Sequence, residues 1–278
     1  MAEPFPACRS ILFVPGDRPD RYEKALAAGA DVVCIDLEDA VAPGRKTGAR
    51  ASVTRFIAHR PRPSHATVIV RLNDPDTGEG ERDASALRDQ PPDAVMIPKV
   101  TTPEGVRRAS RLVGAAVPLL PIIETARGLE NAARIGAAST AVTALIFGGF
   151  DLSVELGAEP DWEPLLYARS RVVHAAAVSG LEAIDMPSRD LCMTAGLRAE
   201  AENARRLGYS GKVAIHPAQI EVIHEVFTPS AEEVERARRI VEADRAAGGG
   251  AVALDGRMVD RPVVEAARRV LARAGAGP

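Results

Sequence analysis

The chain has 278 residues, 46% of them hydrophobic, and a net charge of -3. That balance argues against binding to a polyanion, so nucleic acid is not an expected partner. No apolar run approaches the roughly 20 residues a bilayer-crossing helix needs, so no membrane association is expected either. The three cysteines, Cys8, Cys34 and Cys192, are odd in number and lack Cys-x-x-Cys spacing. They read as free thiols of a reducing compartment. The first residues, MAEPFPACRS, have no basic start followed by a long apolar stretch, and a cytoplasmic enzyme is expected.

Eight short runs rich in Val, Ile and Leu follow one another at residues 10–16, 32–38, 67–73, 94–99, 118–125, 144–151, 181–186 and 212–216. Each closes on polar or charged side chains and is followed by a loop signal and an Ala/Arg/Glu segment, the pattern of buried parallel strands in repeated βα units. Helices are predicted over 18–28, 104–113, 128–135, 165–179, 197–207, 217–226 and 231–247. In 104–113, Val106, Ala109, Leu112 and Val113 form one face, with Thr102 as N-cap and Pro103 in the first turn. Residues 60–66 read as a proline-rich connector and 73–83 as a long polar loop on the active-site rim. After a glycine joint at 248–250, residues 251–260 carry enough apolar side chains to pack, and 262–274 reads as a final helix.

Eight such units in a chain of this length predict an α/β fold, a (β/α)₈ TIM barrel over 1–247 with a C-terminal helical or lid extension over 248–278. In that architecture the active site lies where the strands end. The residues closing the runs, Glu38, Arg71, Lys99, Glu124, Asp151 and His216, are therefore the first candidates.

Glu124 and Asp151 close neighbouring runs, and two carboxylates with several waters are the usual hold on Mg²⁺, so the pair reads as a divalent metal site, with salt bridges inside the rim as the alternative. Gly148-Gly149 just before Asp151 lets backbone approach a ligand closely. Arg71 can hold a substrate carboxylate or a developing enolate oxygen through two donors, or pair with Asp36 or Glu38. Asp36, Glu38 and Asp39 concentrate negative charge for which Lys46, Arg50, Lys99 and Arg71 are the available cations. The cluster reads as support behind the metal, with direct catalysis by Asp36 and Glu38 the lesser role. The five histidines show no zinc spacing, and no Gly-x-Ser-x-Gly elbow, Walker loop or Gly-x-Gly-x-x-Gly fingerprint is present.

The blocks RSILFVPGDRPDRYEKA, VVCIDLEDAVAPGRKTGAR, VIVRLN, MIPKV, IIETARG, FGGFDLSVELG, ARSRVVHAAAVSGLEAID, GYSGKVAIHPAQI and DGRMVDRPVVEAARRVL resemble, in order, those of the citrate lyase β-subunit-like enzymes. That group includes malyl-CoA and citramalyl-CoA lyases within the HpcH/HpaI aldolase superfamily. The resemblance implies Mg²⁺, or Mn²⁺ in its place, on Glu124 and Asp151, with Arg71 at the substrate. It places the CoA thioester near Phe13, Arg18 and Lys24, and gives Ile215 and His216 to the ligand site. Arg18 and Lys24 alone would read as an ordinary solvated helix face. The resemblance also implies a homotrimer or dimer of trimers, in which Asp260 of the MVDRP segment reaches a neighbouring subunit's site as acid/base; an N-cap is the other reading of Asp260. The activity implied is carbon–carbon cleavage or formation of a β-hydroxyacyl-CoA from an acyl-CoA and a 2-oxo acid. The alternatives are a class II aldolase on free 2-oxo acids and aldehydes, or a β subunit acting only inside a citrate lyase complex. Residues 73–83 and 186–192 match no subtype pattern, which leaves the acyl group open.

Overall fold

The computed structural model describes residues 8–60, 66–189, 191, 195–248 and 250–275. Cys192, His65, most of the 60–66 connector, the end of the 186–192 segment and Gly249 of the glycine joint lie outside the described residues. Two compact units divide the chain between His224 and Glu225.

The first unit alternates strand and helix: β1 (Ser10–Pro15), α1 (Tyr22–Leu26), β2 (Val32–Asp36), α2 (Lys46–His59), β3 (Thr67–Arg71), α3 (Gly78–Leu87), β4 (Ala94–Ile97) and α4 (Pro103–Val113). It continues with β5 (Leu119–Ile123), α5 (Ala126–Glu130), α6 (Ala132–Gly136), β6 (Ala144–Phe147), α7 (Gly149–Leu156), α8 (Trp162–Ser179), β7 (Glu182–Asp185), α9 (Ala195–Leu207) and β8 (Gly211–Ala214). The strands pair in sequence order, all parallel, and β1 closes on β8. The predicted TIM barrel is thus the observed one.

Period-two alternation builds the two layers of the core. Val32 and Cys34 of β2 join Ile11, Ile69, Met96, Ile122, Ile146, Ile184 and Val213 in one cluster inside the barrel. Val33 and Ile35, one residue out of phase, are equally buried. Strands buried on both faces need nearly continuous apolar runs, which is why the eight segments are so plain in the sequence. Thr102 caps α4 as expected, its hydroxyl accepting from the Gly105 N–H at 3.2 Å.

Two expectations need correction, and one helix had no expectation at all. Residues 73–83 are not one long loop: Thr77 caps α3 by accepting from the Gly80 N–H, and Asp83, Ala84 and Leu87 are buried. Polar composition hid that helix because its inward face carries an acid, Asp83, held by Arg50 at 2.6 Å. The sixth run ends at Phe147 rather than at Asp151, since Gly148 and Gly149 turn the chain directly into α7. The helix α2 had no prediction, because its apolar stripe is narrow, with Ala49, Val53 and Ile57 the buried apolar positions.

The second unit begins within α10 (Ile220–Phe227) and contains α11 (Ala231–Ala246), the antiparallel hairpin β9 (Val252–Leu254) and β10 (Arg257–Val259), and α12 (Arg261–Gly275). Ala237, Ile240, Val259, Val264 and Ala267 form its small core. Ser230 and Glu233 make a reciprocal capping box at the start of α11.

Candidate active site

A cavity of about 220 Å³ occupies the mouth of the barrel, among the residues that close its strands. Phe13, Arg71, Glu124, Asp151 and Ile215, five of the residues predicted for the site, line it together with Asp39.

Strand register sets the first half of this site. Asp36 and Arg71 are paired neighbours at the ends of β2 and β3. Arg71 donates to Asp36 through Nε at 2.7 Å and Nη2 at 2.6 Å, and its Nη1 lies 2.7 Å from Glu38. Asp36 also accepts from the backbone N–H groups of Glu38 and Ala40. Fully buried and fully bonded, Asp36 orients Arg71 and does not reach the cavity. Phe13 lies under the guanidinium, 5.1 Å from its carbon to the ring centre. Burial alone would lower the proton affinity of Arg71, but the bonds and charge of Asp36, with the charge of Glu38, raise it. The arginine stays a cation.

Of the cations proposed for the acid cluster, Arg71 and Lys99 reach it. Lys99 Nζ lies 2.8 Å from Glu38. Lys46 instead donates to the carbonyls of Leu37 and Glu38 and to Asn73, while Arg50 pairs with Asp83 and Glu79. Burial pushes the Glu38 carboxyl up despite its two cations.

The second half of the site comes from β5 and β6. Glu124 follows β5 and is buried, and its Oε1 accepts from the Lys99 backbone N–H at 2.5 Å. Lys99 adopts φ +55°, a left-handed conformation that costs a non-glycine residue of order 1–3 kcal/mol and is typical of functional sites. No feature of the MIPKV run signals it. Glu124 is pushed up to about 8, first by burial and then by the charge of Glu38 and of Asp151. A Cβ on Gly148 would sit 2.3 Å from Glu124 Cβ and 2.8 Å from its Oε2, so glycine is required there. Asp151 stands exposed in the first turn of α7, where the helix dipole favours a carboxylate.

These features suit a divalent cation. A buried carboxylate repelled by two neighbouring acids, and only partly relieved by the Lys99 N–H and the charge of Arg71, gains from a further positive charge, and two protein carboxylates leave room for the waters Mg²⁺ retains. Among the described residues no group of three or more His, Cys, Asp or Glu side chains is gathered as a closed protein cage.

Arg18, Lys24 and His216, also predicted for the site, lie outside the cavity lining. Arg18 is half-buried and paired with Asp20, and Lys24 is exposed on α1. His216 lies beyond the end of β8 and outside the cavity lining, and its Nδ1 accepts from the Ala218 N–H, capping the turn that follows. Asp260 caps α12 in the second unit, its Oδ1 accepting from the Val263 N–H at 3.4 Å. Met186, Pro187, Phe147 and Phe150 complete much of the apolar lining, and only the first two fell in a segment already tied to substrate choice.

Comparison with known proteins agrees with this architecture. The HpcH/HpaI aldolase/citrate lyase family pattern matches residues 9–217, and that of the C-C bond lyases of the TIM-barrel fold matches 164–276. A (3S)-malyl-CoA thioesterase of Cereibacter sphaeroides is 38% identical, over 99% of this chain and 96% of that protein. Citrate lyase subunit beta of Escherichia coli is 36% identical, over 96% and 93%. The crystal structure of CitE from Mycobacterium tuberculosis with magnesium, acetoacetate and coenzyme A is 35% identical, covers 96% of this chain and 98% of that one, and superposes with a TM-score of 0.82. With the closed barrel and its carboxylate-lined mouth, these matches make the chain a member of the HpcH/HpaI aldolase/citrate lyase family of lyases.

Proposed function

We propose that the protein is a Mg²⁺-dependent carbon–carbon lyase that cleaves or forms a β-hydroxyacyl-CoA such as malyl-CoA, citramalyl-CoA or a citryl-type thioester. The observation that carries this reading is the joining of buried Glu124, Asp151 and the acid-clamped Arg71 around one cavity at the strand ends. Glu124 and Asp151 would hold the metal, which supplies a Lewis acid for the oxygens of the 2-oxo acid half. Cleavage breaks the bond between the hydroxyl-bearing carbon and the carbon next to the thioester, and the electron pair passes to the thioester as an enolate. The hydroxyl loses its proton and the enolate carbon gains one.

In this reading Arg71, held rigid by Asp36 and Glu38, presents its cation to the charge that develops. Asp260 moves the proton at the acetyl carbon, contributed by the 248–278 extension of a neighbouring subunit. Arg18 and Lys24 meet the anionic tail of CoA, Arg18 by exchanging Asp20 for phosphate, and His216 stands beside Ile215 at the rim. A homotrimer or dimer of trimers would supply the neighbouring subunit. Val154 and Leu156 on α7 and Leu166 and Tyr167 on α8 are exposed apolar side chains suited to that contact, and sedimentation of the purified protein reads the copy number.

The test is purified protein with malyl-CoA and Mg²⁺, products separated by chromatography. Acetyl-CoA and glyoxylate indicate the lyase. A second reading, thioester hydrolysis, is favoured by the likeness to a malyl-CoA thioesterase; it yields malate and free CoA. Full Mg²⁺-dependent turnover by Glu124→Ala refutes the metal assignment under either reading.

A further inference from the structure

Gln219 does not line the cavity, yet it ties two of its walls together. It is fully buried. Its Oε1 accepts from the backbone N–H of Ile215 at 2.9 Å and of His216 at 3.3 Å, and its Nε2 donates to the Ser188 carbonyl at 3.2 Å. Ile215 is the cavity wall that follows β8, and Met186 and Pro187 are the wall that follows β7. The β7 side is pinned at both ends. Asp185, just before Met186, pairs in register with Lys212 and is held by Lys212 Nζ at 2.7 Å and Arg169 Nε at 3.2 Å, all three buried. Ser188, just after Pro187, is held by Gln219.

We propose that Gln219 is a positioning residue that sets the width of the cavity between the walls that follow β7 and β8, and through it the discrimination between small 2-oxo acids. The inference rests on the lyase reading of the site. The chemistry of the side chain supports it: an amide carries an acceptor and a donor on one carbon, so it bonds two N–H groups on one wall and a carbonyl on the other. A carboxylate in its place loses the donor and sets a negative acceptor against the Ser188 carbonyl oxygen, itself an acceptor. A cavity of about 220 Å³ registers small shifts in its walls, and one methyl group in a fitted apolar pocket is worth roughly 10- to 200-fold in selection.

The experiment measures Mg²⁺-dependent binding of glyoxylate and of pyruvate, which differ by one methyl, by calorimetry and by melting temperature. Wild type, Gln219→Met and Gln219→Glu are compared, with KM and kcat read in parallel. Gln219→Met fills the same volume without the bonds. Its ratio of the two dissociation constants should change at least threefold, with KM altered more than kcat. Gln219→Glu should keep the wild-type ratio at low pH, where a protonated carboxyl still donates to Ser188, and drift from wild type as pH rises. An unchanged ratio in both variants, or equal weakening of both acids in step with a falling melting temperature, overturns the proposal. If Gln219→Met does not fold, a pH-independent ratio in Gln219→Glu overturns it. Failure of the wild type itself to bind either acid with Mg²⁺ instead removes the lyase reading, and this inference with it.

Discussion

Replacing Glu124 by glutamine should stabilise the metal-free protein, and increasingly so as pH rises. Burial and the charges of Glu38 and Asp151 lift its proton affinity from the ordinary 4.5 to about 8. A carboxyl that binds its proton more tightly folded than unfolded contributes stability that is fully present below pH 4.5 and is lost as pH rises through about 8. At roughly 1.4 kcal/mol for each tenfold change in proton affinity, the whole effect is about 4 to 5 kcal/mol, of which about 3 to 4 falls between pH 5 and pH 8.5. Glutamine carries no charge at any pH and keeps an oxygen to accept from Lys99. The melting-temperature gap between Glu124→Gln and wild type, measured in chelator, should therefore widen by roughly 6 °C or more from pH 5 to pH 8.5. Saturating Mg²⁺ should stabilise wild type at the alkaline end and close the gap. A gap that is flat with pH, or that narrows, would refute the claim that Glu124 is held in an unfavourable charged state.

Arg71→Met should cost about 3 to 5 kcal/mol in urea unfolding, because Asp36 and Glu38 stay buried without their main cation, and should abolish turnover. Native stability in that variant would show that the acids do not depend on it. Gly148→Ala drives a Cβ into Glu124; a loss of at least tenfold in Mg²⁺ affinity by titration is expected, along with about 1 to 3 kcal/mol of overpacking cost. Asp260→Asn preserves an N-cap, so the melting temperature should hold within about 2 °C while turnover falls on the order of 100-fold or more. Retained turnover in Asp260→Asn would remove the proton-transfer role.

The eight strands were legible because strands buried on both faces must be apolar throughout, and a closed barrel places their ends at one rim. Glu38, Arg71 and Glu124 follow from that rule alone; Arg71 and Glu124 line one cavity, and Glu38 stands behind it against Arg71. Helices were harder where a polar residue faces inward, as Asp83 does in α3, since periodicity counts apolar side chains and not satisfied acids. Sequence also left charge partners undecided. Lys46 and Arg50 had the same claim on the acid cluster as Lys99, and only tertiary distances assign them to carbonyls and to Asp83. The left-handed backbone of Lys99, the fit of Gly148 against Glu124 and the tie made by Gln219 have no local signature either. Each depends on segments brought together from different strands. Hydrophobic patterning, which is local, determined the barrel and its rim; hydrogen bonding and charge pairing, which act across the fold at fixed distances, decided what the rim can hold.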